Sequence, residues 1–169
     1  MGALVKLLDI VLFPFLLTIA LAAPLMDFQA ILPHGLYPDY LINLKQWYTR
    51  EFGDYLFVEK PNFFVGLVWL ELLFQWPLTL INLYGILGAK SWLPTTCLIF
   101  GASVFTSTVA ISTELILSGK ASDKMLTSYL PFLGFGVLAT LRGLMPPSGK
   151  ATSGSAFGRR PELARKKKA

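Results

Sequence analysis

The amino-acid sequence predicts an all-α integral membrane protein: a bundle of four transmembrane helices with a helical loop after the first span. Three observations carry this expectation. Of 169 residues, 54% are hydrophobic and only 15% charged, with a mean hydropathy of +0.57, whereas a soluble globular chain carries roughly 25% charged residues. Four long stretches hold no charge at all: seventeen residues between Asp9 and Asp27, eighteen between Glu71 and Lys90, twenty-three between Lys90 and Glu114, and seventeen between Lys124 and Arg142. A helix crosses a bilayer with about 17–25 mostly apolar residues. None of the stretches alternates polar and apolar side chains, as a membrane strand would.

Spans are therefore expected over residues 7–26, 63–84, 93–117 and 126–145, within a membrane domain of residues 1–147. The first also admits a second reading, as a secretory leader, because Lys6 precedes an apolar run that ends in Ala20-Leu21-Ala22-Ala23. Asp9 and Pro14 interrupt that run and Pro24 follows the small residues, which favours a retained span. In the loop of residues 27–62, Pro38-Asp39 reads as a helix start with Asp39 as N-cap. Tyr40, Leu44, Trp47/Tyr48 and Glu51/Phe52 then recur at helical spacing, while Lys45 and Arg50 are free to reach water. Such a helix lies at the membrane interface, where Trp and Tyr concentrate, or closes the bundle as a lid; both uses need the same amphipathic face.

Charge is segregated: residues 1–147 carry a net −1 and residues 148–169 a net +6. The basic character thus belongs to a Ser/Gly-rich tail, expected to be disordered, and not to a folded face that would read nucleic acid. One Cys and one His, Cys97 and His34, exclude an intrachain disulfide and a Cys/His metal cluster. No cofactor is expected. With four spans, ten Lys/Arg fall on the side of the termini and five on the other, so both termini are expected in the cytosol and the long loop in the lumen. Lys166 and Lys167, third and fourth from the end in Lys-Lys-Lys-Ala, match a di-lysine retrieval signal for the endoplasmic reticulum. The same residues also read as a polybasic segment drawn to anionic lipid.

Ionisable groups inside spans are costly and mark function by default. Asp9, Glu114 and Arg142 lie near span ends and are expected to reach the interface. Glu71 lies well inside the second span, and Glu71, Gln75, Thr79 and Asn82 form one polar stripe. Such a stripe must face protein or a cavity, because lipid cannot satisfy it. The third span offers Ser103, Thr106 and Ser107, and the fourth Tyr129, Phe132, Gly136 and Thr140. Interhelical hydrogen bonds, worth about 0.6 kcal/mol each, account for the hydroxyls but poorly for a carboxyl. Asp27, at the lumenal end of the first span, can approach Glu71. Two close carboxyls in an apolar enclosure do not both ionise cheaply, so the pair is expected to carry one negative charge, matched to a lipophilic ammonium. Gln75 would meet a hydroxyl there, and the apolar walls a sterol ring system.

Residues Met26-Asp27-Phe28-Gln29-Ala30-Ile31-Leu32-Pro33 with Leu36-Tyr37-Pro38, Lys45-Gln46-Trp47-Tyr48 with Glu51-Phe52-Gly53-Asp54, and Glu71-Leu72-Leu73-Phe74-Gln75 with Pro77 resemble the sigma-2 receptor (transmembrane protein 97) family. This is part of the EXPERA-domain group, which also holds the emopamil-binding sterol isomerase. The similarity covers most of residues 10–145. It implies a four-helix protein of the endoplasmic reticulum that binds sterols or oxysterols and cationic amphiphilic amines, takes part in cholesterol trafficking, and forms a homodimer. It implies roles residue by residue as well. Asp27 matches the acid facing the ligand amine, and Glu71 the acid hydrogen-bonded to it. Leu73 and Gln75 match pocket positions, and Asp54 matches a loop acid that holds the site together; Tyr48 and Tyr129, named from their own helices, are expected to support the pocket. Ser107 stands where the family has Thr, and Phe132 where it usually has Tyr.

Two functions compete. One is a non-enzymatic sterol- and amine-binding protein, working with a sterol-transport partner. The other is a sterol Δ8–Δ7 isomerase using the same carboxyls, which needs a proton donor and acceptor on the two sides of a cationic intermediate. The isomerase pattern uses a histidine within a span, and the sole histidine here is His34 in the loop, which favours binding.

Overall fold

The structure, a computed structural model, describes residues 2–146. Among them are seven α-helices and no strand. Helix α1 (Gly2–Leu25) leads through two 3-10 turns, Asp27–Ala30 and His34–Leu36, to α2 (Asp39–Phe52) and α3 (Tyr55–Glu59). Helix α4 (Asn62–Leu70) then continues through a π-helical turn (Glu71–Gln75) into α5 (Trp76–Leu87). Two further helices, α6 (Leu93–Leu117) and α7 (Asp123–Gly143), complete the fold. Four rods are long and apolar enough to cross a membrane: Gly2–Ala30, Asn62–Leu87, Leu93–Leu117 and Asp123–Gly143. The expected four spans are thus present. Lys166 and Lys167, and the tail that carries them, lie outside the described residues.

Small residues and aromatics set the packing. Helices α6 and α7 run against each other along most of their length. A Cβ on Gly136 would lie 2.9 Å from the backbone N of Phe105, so only glycine lets the two backbones come this close. Phe15 of α1 stacks on Phe135 of α7 with centroids 3.8 Å apart. The Trp76 indole N–H donates to the Ala20 carbonyl at 3.1 Å, tying α5 to α1. The core joins Leu12 and Leu16 of α1, Phe100 of α6, Met125 of α7 and Leu56 of the loop, all essentially inaccessible.

Asp9 and Arg142, each expected to reach the interface, instead pair with one another. Arg142 Nε lies 2.5 Å from Asp9 Oδ1 and Nη2 3.3 Å from Oδ2, with the arginine side chain fully buried. Burial leaves each charge far costlier alone than paired, so this contact joins α1 and α7 at the end remote from the loop.

The loop forms a cap over the other end. Ser122 Oγ donates to the Phe52 carbonyl at 2.6 Å, and the Tyr55 hydroxyl to Glu114 Oε1 at 3.2 Å. Lys120–Glu59 at 2.8 Å and Lys124–Glu51 at 2.5 Å add two exposed ion pairs, whose attraction solvent and salt largely screen. Burial of Leu41, Leu56 and Phe57 therefore does more to seat the cap. Asp39 is the first helical residue of α2 and not its N-cap. Pro38 takes the cap position without a side-chain bond, and Asp39 is left to favour the positive end of the helix dipole. Gly53, at φ 67°, ends α2 in the left-handed conformation that glycine adopts readily.

Candidate functional site

Beneath the cap and between the four rods lies a cavity of about 150 Å³. The turn at Asp27–Ala30 brings Asp27 to its wall. Gln29 fixes that turn by donating from Nε2 to the carbonyls of Leu25 at 2.6 Å and Leu41 at 3.3 Å, and Lys60 Nζ donates to Ala30 O at 2.8 Å. Glu71 and Gln75 enter from the π-helical turn. Pro77 has no N–H, so the Leu73 carbonyl has no α-helical partner. The chain widens locally, with the Trp76 N–H bonding the Glu71 carbonyl five residues back. Glu71 and Gln75, four residues apart, both reach the cavity wall from this turn. Leu73 lies outside the cavity lining and is 70% exposed.

Gln75 is nearly buried and donates from Nε2 to Ser103 Oγ at 2.9 Å and Ser107 Oγ at 3.0 Å. Ser107 Oγ in turn donates to the Ser103 carbonyl at 3.0 Å. The serine's hydrogen is thus already used, and the Gln75 Oε1 is the acceptor left for a ligand hydroxyl. Phe132 lines the cavity and meets Phe15 edge-on at 5.5 Å. Tyr48 and Tyr129 are also on the wall.

Asp54 stands behind the wall, fully buried. Its Oδ1 accepts from the Leu56 N–H at 3.2 Å, capping α3, and its Oδ2 accepts from the Tyr129 hydroxyl at 3.0 Å. Burial pushes the Asp54 carboxyl above its usual range, and these hydrogen bonds pull it back. Burial likewise raises the Tyr48 phenol.

The structure thus brings Asp27, Glu71, Gln75, Ser107, Phe132, Tyr48 and Tyr129 to one cavity, with Asp54 bracing Tyr129 and Leu73 apart. Sequence reasoning missed Lys45, which was expected to reach water and is only 8% exposed. Its ammonium lies 4.9 Å from the centroid of Phe57. Burial and the nearby Lys60 lower it to about 8, against the opposing pull of Asp27 and Asp54. The signal was present: Leu41, Lys45, Tyr48 and Phe52 share one helical face. His34 is absent from the acidic cavity's lining. Among the described residues no group of three His, Cys, Asp or Glu forms a candidate metal site.

Four apolar rods enclosing two carboxyls under a helical cap define a membrane protein with an acidic, aromatic-walled chamber. Residues 40–142 match the family model described as EXPERA (EXPanded EBP superfamily), and the chain belongs to that family. It is homologous to proteins named Sigma intracellular receptor 2. The one from Xenopus tropicalis is 28% identical over 160 residues, covering 87% of this chain and 94% of that protein. Those from Homo sapiens and Macaca fascicularis are each 39% identical over 87 residues, covering 51% of this chain and 49% of each protein.

Proposed function

We propose that this protein binds cationic amphiphilic amines and sterols or oxysterols in the acidic cavity, as a sigma-2-receptor-like component of sterol homeostasis in the endoplasmic reticulum. The observation that carries the proposal is the presence of Asp27 and Glu71 on one wall otherwise built largely of Phe, Tyr and aliphatic residues. A negative charge in such surroundings is offset by a ligand ammonium, and the aromatic faces add cation–π attraction. A chamber of about 150 Å³ holds a benzene-sized group, so an amine-bearing ring enters it directly. A sterol requires the walls to part. Membrane lipid is the medium from which the ligand comes. A homodimer and a sterol-transport protein are the partners that fit this role.

In this reading the protein is a binder and not a sterol isomerase. Binding asks only for complementarity to the ligand, whereas isomerisation asks for proton transfer on both faces of a cationic transition state. His34, the chain's one histidine, lies in the loop and not on the cavity wall. The test is mass spectrometry of lipid retained by gently purified protein, followed by incubation with a Δ8-sterol. Saturable binding without Δ7 product is expected. Turnover above a heat-denatured control, lost in Glu71→Gln, would establish the isomerase.

A further inference from the structure

A second cavity, of about 370 Å³, opens on the other side of Phe57, between the turns after α1 and the cap helices. It falls within the roughly 300–1,000 Å³ of small-molecule sites, and its chemistry is the reverse of the first. Lys45, Arg50 and Lys60 line it together with His34 and Gln46, and no acidic residue does. Ile42, Phe57 and Val58 form an apolar flank.

Two of its cations are held in place. Lys60 occupies the left-handed conformation at φ 48°, where glycine or asparagine is the usual occupant. Its ammonium is fixed at the rim by donating to the Ala30 carbonyl at 2.8 Å. Lys45 is buried with its stem in the cap and its ammonium against Phe57. The mutual repulsion of Lys45 and Lys60 helps to lower Lys45 to about 8, and an anion seated between them relieves it. Arg50 adds a planar fork of donors suited to phosphate oxygens.

We propose that this cap cavity binds a phosphate group, its oxygens held by Lys45, Arg50 and Lys60 and any ester chain lying along Ile42, Phe57 and Val58. This site does not rest on the amine reading: its lining shares only Phe57 with that of the acidic chamber, although Lys45 also lies within the field of Asp27 and Asp54. The phosphate comes either from a lipid headgroup or from free phosphate, and the two arms of the test separate these sources.

Purified full-length protein in non-ionic detergent is titrated with phosphatidic acid or phosphatidylcholine and read by native mass spectrometry. In parallel, its melting temperature is followed with inorganic phosphate against chloride at equal ionic strength. The expected result is saturable retention of phosphatidic acid over phosphatidylcholine, weakened at least about tenfold in the Arg50→Gln/Lys60→Gln double variant. Protection by inorganic phosphate alone, lost in the same variant, supports the site with free phosphate as its source. Lys124→Gln, which removes a cation outside the cavity, should retain binding. Equal loss in Lys124→Gln, or neither probe binding to wild-type protein with native helical circular dichroism and a cooperative melt, overturns the proposal.

Discussion

The Asp54–Tyr129 contact ties the cap to the cavity wall, and breaking it tests whether the cap holds the site in shape. Asp54→Ala removes two bonds at a fully buried carboxyl: the cap on the Leu56 N–H at 3.2 Å and the acceptor for the Tyr129 hydroxyl at 3.0 Å. An N-cap is worth about 1 kcal/mol and a hydrogen bond to a charged group roughly 1.5–3 kcal/mol. The loss of stability should therefore be about 2.5–4 kcal/mol. Tyr129→Phe removes only the second bond and should cost about 1.5–3 kcal/mol. The double variant should be scarcely worse than Asp54→Ala, with a coupling equal to the shared bond. Denaturant melts of detergent-solubilised wild type, both single variants and the double variant give that coupling directly. Additivity within about 0.5 kcal/mol would refute the bond as a tie between cap and wall. A coupling near 1 kcal/mol, the value for a neutral pair, would show that burial keeps Asp54 protonated.

Folded Lys45 titrates at about 8 against 10.5 for the free side chain. The unfolded chain therefore binds more protons between those values, and stability should rise with pH from about 8 towards 10.5. Lys45→Met should abolish that rise in melts taken across this range, and a flat wild-type profile would contradict the burial of Lys45. Gly136→Ala places a Cβ 2.9 Å from the Phe105 backbone N, and the overpacking should cost about 1–3 kcal/mol in a thermal melt. An unchanged melt would mean that α6 and α7 separate freely.

The four rods were legible because charge-free windows report span length directly, and the cap helix α2 because its aromatic residues recur at helical spacing. The Asp9–Arg142 pair was not legible: 133 residues separate its members, and each, read alone beside a span end, looks interfacial. Glu71 and Gln75 were singled out as a polar stripe and both line the cavity, but the π-helical turn that carries them was not foreseen, although Pro77 supplies its cause. Asp54 and Leu73 entered only through family resemblance, and Phe132, already noted on the fourth span, gained its pocket role there. For Asp54 a local signal existed, since an aspartate ahead of the short apolar run Tyr55–Val58 is a helix N-cap pattern. The second cavity was invisible for a different reason. Its cations stand on different elements, Lys45 and Arg50 on α2 and Lys60 at the end of α3, and only the fold of the cap brings them together.

Under the proposed function, Asp27 provides the charge that holds a lipophilic amine. Its most direct test is the equilibrium affinity of a labelled cationic amphiphile for purified wild type, Asp27→Asn and Glu71→Gln, each with a cooperative melt as the measure of folding. Loss of one charge-assisted contact costs roughly 1.5–3 kcal/mol, so Asp27→Asn should bind about ten- to a hundredfold more weakly. Glu71→Gln should lose less, because it leaves the Asp27 carboxylate in place. Wild-type affinity in a folded Asp27→Asn protein would contradict the account.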